Sequence, residues 1–177
     1  MRTKQNVMTN NTQITITDAE LRQAVSEGMD AFLQAIVDKY LAAIHGQLTA
    51  DTMPLLNGNQ HTLLGYHILR RELMDGGFVQ LIQNGYGPYI FENPFARAMK
   101  VYGLHELSKL IYRAHDVYAA HKADLVKERS DDEFMAMYEQ YAEFDDLEEA
   151  FIENEEELTS RLAVYVDEHL ADFITVA

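Results

Sequence analysis

Thirteen carboxylates crowd the segment from Asp131 to Leu158: Asp131, Asp132, Glu133, Glu139, Glu143, Asp145, Asp146, Glu148, Glu149, Glu153, Glu155, Glu156 and Glu157, with no Lys, Arg or His among them. Carboxylates at this density serve two kinds of chemistry. One is coordination of a hard cation, in which alternate residues of a loop wrap round the ion and a Gly makes the sharp turn. No D-x-[DN]-x-[DN]-G pattern occurs, and the densest part reads as helix. The other is an anionic surface that competes for the Lys and Arg of a second macromolecule. A solvated helix face is the bland alternative to both. Asp145 to Glu157 holds eight carboxylates, on roughly 18–20 Å of helix, or about one charge per 2.5 Å of axis. Duplex DNA carries one per about 1.7 Å. A helix this close to DNA in charge density offers DNA-reading surfaces a similar electrostatic target.

Other reactive groups are sparse. The chain has no Cys, which excludes disulfides, thiolate metal sites and a Cys nucleophile. Seven His are present (His45, His61, His67, His105, His115, His121, His169), with no HExxH and no pair at i, i+4 to hold zinc from one helix face. G-x-x-x-x-G-K-[ST] and G-x-S-x-G are both absent, so neither a phosphate cradle nor a nucleophile elbow is visible. The expectation is a protein without catalysis, metal or cofactor. In "DGGFVQLIQNGYG" the glycines read as structural. Gly76 and Gly77 permit a tight helix–helix junction, Phe78, Leu81 and Ile82 pack inside, and Gln80 and Asn84 are expected to bond backbone left open at the break. Direct nucleic-acid binding is excluded as a main role, because the bases (Arg70, Arg71, Arg97, Lys100, Lys109, Arg113, Lys122, Lys127, Arg129) are balanced by neighbouring acids.

The elements that must position the acids follow from periodicity. The chain of 177 residues is 47% hydrophobic and carries a net charge of −15. That suits one domain with a substantial core. Residues 131–177 hold 16 acids against one base, Arg161, whereas residues 1–130 balance 13 acids with 13 bases. Solubility alone does not need such segregation; a directed field does. Residues 1–16 read as a polar arm with little structure of its own. Thr17 with Glu20 forms a capping-box pattern that opens a helix running to near Gly46. Further helices are expected from about Gln60 to Met74, over "FVQLIQN", from Asn93–Pro94 to Gly103 and from about Leu104 to Arg129. Ser130 with Glu133 is a second capping box. Behind it Phe134, Tyr138, Tyr141, Phe144 or Leu147, Phe151, Leu158, Leu162, Tyr165 and Phe173 keep 3–4 spacing. A disordered acidic tail has neither the aromatics nor the period. Residues 131–177 therefore read as one or two amphipathic helices, docked through an apolar stripe buried against the rest of the chain or a second subunit, with carboxylates covering the outer face.

"DGGFVQLIQNGYG" followed by "NPFARAMKVYG" resembles the GGF-x-Q-…-N-x-x-G core of a family of small bacterial helical proteins whose characterised member is a DNA mimic; the likeness spans residues 60–130. Gly76, Gly77, Phe78, Gln80, Asn84 and Gly85 match the family's core motif, and the acids of 131–157 match in character. The resemblance implies an α-helical, non-catalytic homodimer whose negative surface occupies the DNA-binding face of a transcriptional regulator and relieves its action. The combined expectation is an all-α, single compact multi-helix domain over 17–177 with a long acidic C-terminal helical segment. Its partner would be a DNA-binding protein of the helix-turn-helix type. The alternative is an immunity-type module that neutralises another basic protein. No apolar run approaches the roughly 20 residues of a membrane span, and the start lacks an apolar signal core; the expected location is cytoplasmic.

Overall fold

A computed structural model describes residues 13–177, and among them the chain folds as ten α-helices with two short 3-10 turns and one pair of two-residue strands. Capping boxes open three of the helices. Thr17 Oγ1 accepts from the Glu20 N–H at 3.1 Å and the Glu20 carboxylate accepts from the Thr17 N–H at 2.9 Å, opening α1 (Asp18–Glu27). The expected single helix breaks here. Gly28 has φ 116° and ψ 178°, which no helix accommodates, so α2 (Met29–Ala43) starts afresh. A further capping box, Asn57 with Gln60, begins α3 (Gly58–Asp75) two residues before the expected start. Then come α4 (Gly77–Gln83), α5 (Gly87–Phe91), α6 (Phe95–Val101) and α7 (His105–Leu125). Asn93 Oδ1 accepts from the Phe95 N–H at 2.8 Å, an Asx-type bond just before the helix; Pro94 stands at the N-cap, so α6 starts one residue later than the expected Asn93 cap with Pro94 as first helical residue. The Ser130–Glu133 box opens α8 (Asp131–Gln140), with bonds of 3.3 and 2.9 Å. A 3-10 turn at Ala142–Phe144 leads into α9 (Asp145–Glu168), and α10 (Leu170–Phe173) follows.

One continuous core joins these elements. Helix α3 runs through its middle, burying Leu63, Leu64, Tyr66, Ile68, Leu69 and Leu73. Helices α2, α4, α6, α9 and α10 pack around it. The aromatic stripe of the acidic third does reach this core. Tyr141, Phe144, Leu147, Phe151, Leu158, Leu162 and Phe173 are buried, and Phe134, Tyr138 and Tyr165 lie partly buried at its edge. A second subunit is therefore not needed to cover the stripe.

The expected polar arm lies mostly outside the described residues, but its last residues are more ordered than composition implies. Ile16 is buried, and Thr15–Ile16 (β1) pairs in parallel with Thr175–Val176 (β2). The alternation of "TQITIT" places Ile16 inward, and a chain end supplies the partner strand. The C-terminal residues are held by side chains as well: Tyr40 Oη and Gln60 Nε2 donate to the Phe173 carbonyl at 2.6 and 3.0 Å.

Candidate protein-binding acidic face

Eleven of the thirteen carboxylates between Asp131 and Glu157 are exposed. On α9 the exposed acids are Asp145, Asp146, Glu149, Glu153, Glu156 and Glu157. At 100° per residue they occupy about a third of the helix circumference, opposite the stripe of Leu147, Phe151, Leu158 and Leu162. Asp131, Asp132, Glu133 and Glu139 lie exposed on α8, and Glu143 on the 3-10 turn between the two helices. Part of the crowding is locally favourable. Asp131, Asp132 and Glu133 fill the first turn of α8, and Asp145, Asp146 and Glu148 that of α9, where backbone N–H groups attract anions. Neutralising contacts are few: Arg161 reaches Glu157 at 3.1 Å, and His121 lies 3.8 Å from Glu143.

Two of the thirteen do not belong to the outer face. Glu155 is buried, takes a contact from Arg70 Nε and accepts from Thr159 Oγ1 at 3.2 Å. Thr159 in turn bonds Tyr66 Oη at 2.7 Å, and Arg70 Nη1 reaches Asp30 at 3.3 Å. This network ties α9 to α3 and α2. Its cause is helical phase: Phe151, Glu155, Leu158 and Leu162 share the inward side. Glu148 is half buried, and its carboxylate accepts the Phe78 N–H at 2.7 Å. Burial pushes its pKa up, against the lowering effect of that hydrogen bond. With these two removed, six carboxylates remain on the exposed side of α9, about one per 3.3 Å of axis. That is close to the 3.4 Å spacing of charge along a single DNA strand.

The glycine motif is where the acidic helices are fastened. Gly77 has φ +82°, and a Cβ there would lie 2.3 Å from Glu148 Oε1. The bare α-carbon lets the α9 carboxylate cap the start of α4. From α8, Tyr138 Oη donates to the Gly76 carbonyl at 2.9 Å. Phe78 is fully buried against Phe144 and Phe91. Gly85 takes φ +87° at the end of α4. Gln80 and Asn84 do not bond open backbone as expected. Both donate from their side-chain amides to Glu72 Oε2 at 2.9 Å, and Gln80 also to Asp75 at 2.9 Å. Glu72, 4% exposed, was not singled out by residue type. Its place beside Leu69 and Leu73 on the inner side of α3 is the signal that could have found it.

Among the described residues no group of three or more His, Asp and Glu is placed to hold a metal ion. No helix there is long and apolar enough to cross a membrane.

Comparison with known proteins agrees with the motif. The model of a family described as DMP19-like protein matches residues 54–169, which take in the glycine junction and both acidic helices. The DNA mimic protein DMP19 of Neisseria meningitidis serogroup B is 30% identical over 146 residues, covering 81% of this chain and 87% of that protein. The chain belongs to the DMP19-like family.

Proposed function

We propose that this protein is a DNA mimic whose acidic face occupies the DNA-binding surface of a helix-turn-helix transcriptional regulator and relieves its action, without catalysis and in the cytoplasm. The observation that carries this reading is the band of exposed carboxylates on α8 and α9, held on a packed scaffold. A rigid array keeps the spacing of its charges, as a duplex does; a tail would not. The partner's Lys and Arg would exchange phosphates for carboxylates, so binding should weaken steeply as salt rises.

The reading includes a homodimer. The aromatic stripe is used within the chain and does not argue for one. A different surface does: Val25, Met29 and Val164 are each about half exposed round a groove that also contains Phe32. Analytical ultracentrifugation at micromolar concentration should give a dimer that Met29→Glu dissociates.

A pull-down at low salt with elution at high salt tests the partner class. A helix-turn-helix protein in the eluate supports the mimic, and a basic toxin or nuclease in its place would move the assignment to an immunity-type module.

A further inference from the structure

Two large apolar side chains interrupt the acidic band. Between Asp131 and Glu157, Met135 on α8 and Ile152 on α9 stand 64% and 50% exposed, and neither joins the core. The other large apolar residues of that stretch are buried or packed against the core.

Their settings repeat. Met135 has Asp131 at i−4, Asp132 at i−3 and Glu139 at i+4; Ile152 has Glu148 at i−4, Glu149 at i−3 and Glu156 at i+4. Residues three and four apart are neighbours on a helix surface, so each apolar side chain stands between carboxylates one turn to either side. All of these acids except the half-buried Glu148 are exposed. A Lys at either position would pair with the acids on both sides and ease their repulsion. An exposed apolar side chain does not. Ile is also a weaker helix former than Lys, Glu or Gln. Neither core packing nor local electrostatics selects these residue types here, which leaves what the face binds.

We infer that Met135 and Ile152 set the specificity of the acidic face, as the apolar contacts by which the DNA-reading surface of the regulator recognises this protein. They play the part that thymine methyl groups play in DNA. The role presupposes the DNA mimicry proposed above. Surfaces that read the major groove bring two kinds of group. Lys and Arg meet phosphates, which carry no sequence information, and small apolar groups such as Ala or the Thr methyl meet the thymine C5-methyl. Carboxylates alone satisfy the first kind and attract any basic protein. Apolar carbon fixed among them satisfies the second, so a DNA reader gains from it and a merely basic chain does not.

The test uses Met135→Gln combined with Ile152→Gln, which leaves every charge in place and puts a good helix former at both exposed positions. Fluorescently labelled parent and variant are titrated over a range of salt with two probes: the purified regulator that the parent retains at low salt, and poly-L-lysine. The variant should bind the regulator about tenfold more weakly at every salt concentration. The slope of log Kd against log salt should not change, because no ion pair is lost. Polylysine should bind both proteins equally, which also shows the acidic face of the variant to be intact. Equal affinity of parent and variant for the regulator, a shallower salt slope, or an equal loss against polylysine would each overturn the role of these two residues while leaving the mimicry standing. A parent that retains no DNA-binding protein would overturn the mimicry, and this role with it.

Discussion

Gly77 and Glu148 form one device, and each side of it can be tested separately. At φ +82°, with the Glu148 carboxylate where its Cβ would stand, Gly77 has no substitute. Gly77→Val should cost about 3 kcal/mol or more through backbone strain and displacement of the cap, read as a fall in the denaturation midpoint. A Gly77→Val protein as stable as the parent but inactive would make the motif a binding site instead of a junction. Glu148 gives a pH signature. Its folded-state pKa is raised, so the protonated form is favoured by folding, and its ionised form weighs on the folded state at neutral pH. That burden disappears as pH falls through the raised value towards the ordinary 4.5. Glu148→Gln keeps an oxygen to accept the Phe78 N–H and removes the charge. The variant should therefore equal or exceed the parent in stability at pH 7, with the gap closing below about pH 4.5. An advantage that widens in acid would contradict this.

Between elements, the strongest tie of the acidic helix is the Asp30–Arg70–Glu155 network joining α2, α3 and α9. Arg70→Met leaves the Glu155 carboxylate buried without its cation and should destabilise by about 3 kcal/mol. Arg70→Met combined with Glu155→Met removes both charges and should recover much of that loss in urea denaturation; equal costs for single and double variants would mean the pair is not coupled. The elements themselves were largely legible in the sequence. The Thr17–Glu20 and Ser130–Glu133 boxes stand where their residue types place them, and the helix expected at Asn93–Pro94 starts one residue later. The break at Gly28 was hidden because apolar spacing continues across it, with Leu21 and Ala24 before and Phe32 and Leu33 after. The inward carboxylates were hidden for a different reason: residue type argues for exposure, and only helical phase places Glu72, Glu148 and Glu155 inside. Residue type suggests open backbone as the partner of Gln80 and Asn84, yet their shared partner Glu72 lies in α3, which spacing cannot reveal.

For the whole molecule, segregation of charge is the governing feature: residues 131–177 hold 16 acids against one base. The buried stripe fixes α8 and α9, the glycine junction and the Arg70 network fasten them, and the remaining carboxylates form a rigid anionic face. Individual exposed pairs contribute little, about 1 kcal/mol or less each, so the face should fail only when several of its charges change together. Asp145, Asp146, Glu149 and Glu153 are exposed and, among the described residues, make no side-chain hydrogen bond or ion pair like those of Glu148 and Glu155, which makes them the positions to reverse. The decisive measurement is a gel-shift competition, over a range of salt, between operator DNA and this protein for the regulator recovered at low salt, with the fourfold Lys variant run beside the parent. The account predicts that the parent displaces the operator less well as salt rises, while the variant, equally helical by circular dichroism, displaces none; displacement by the variant equal to that of the parent would show the acidic face to be only a solvated surface.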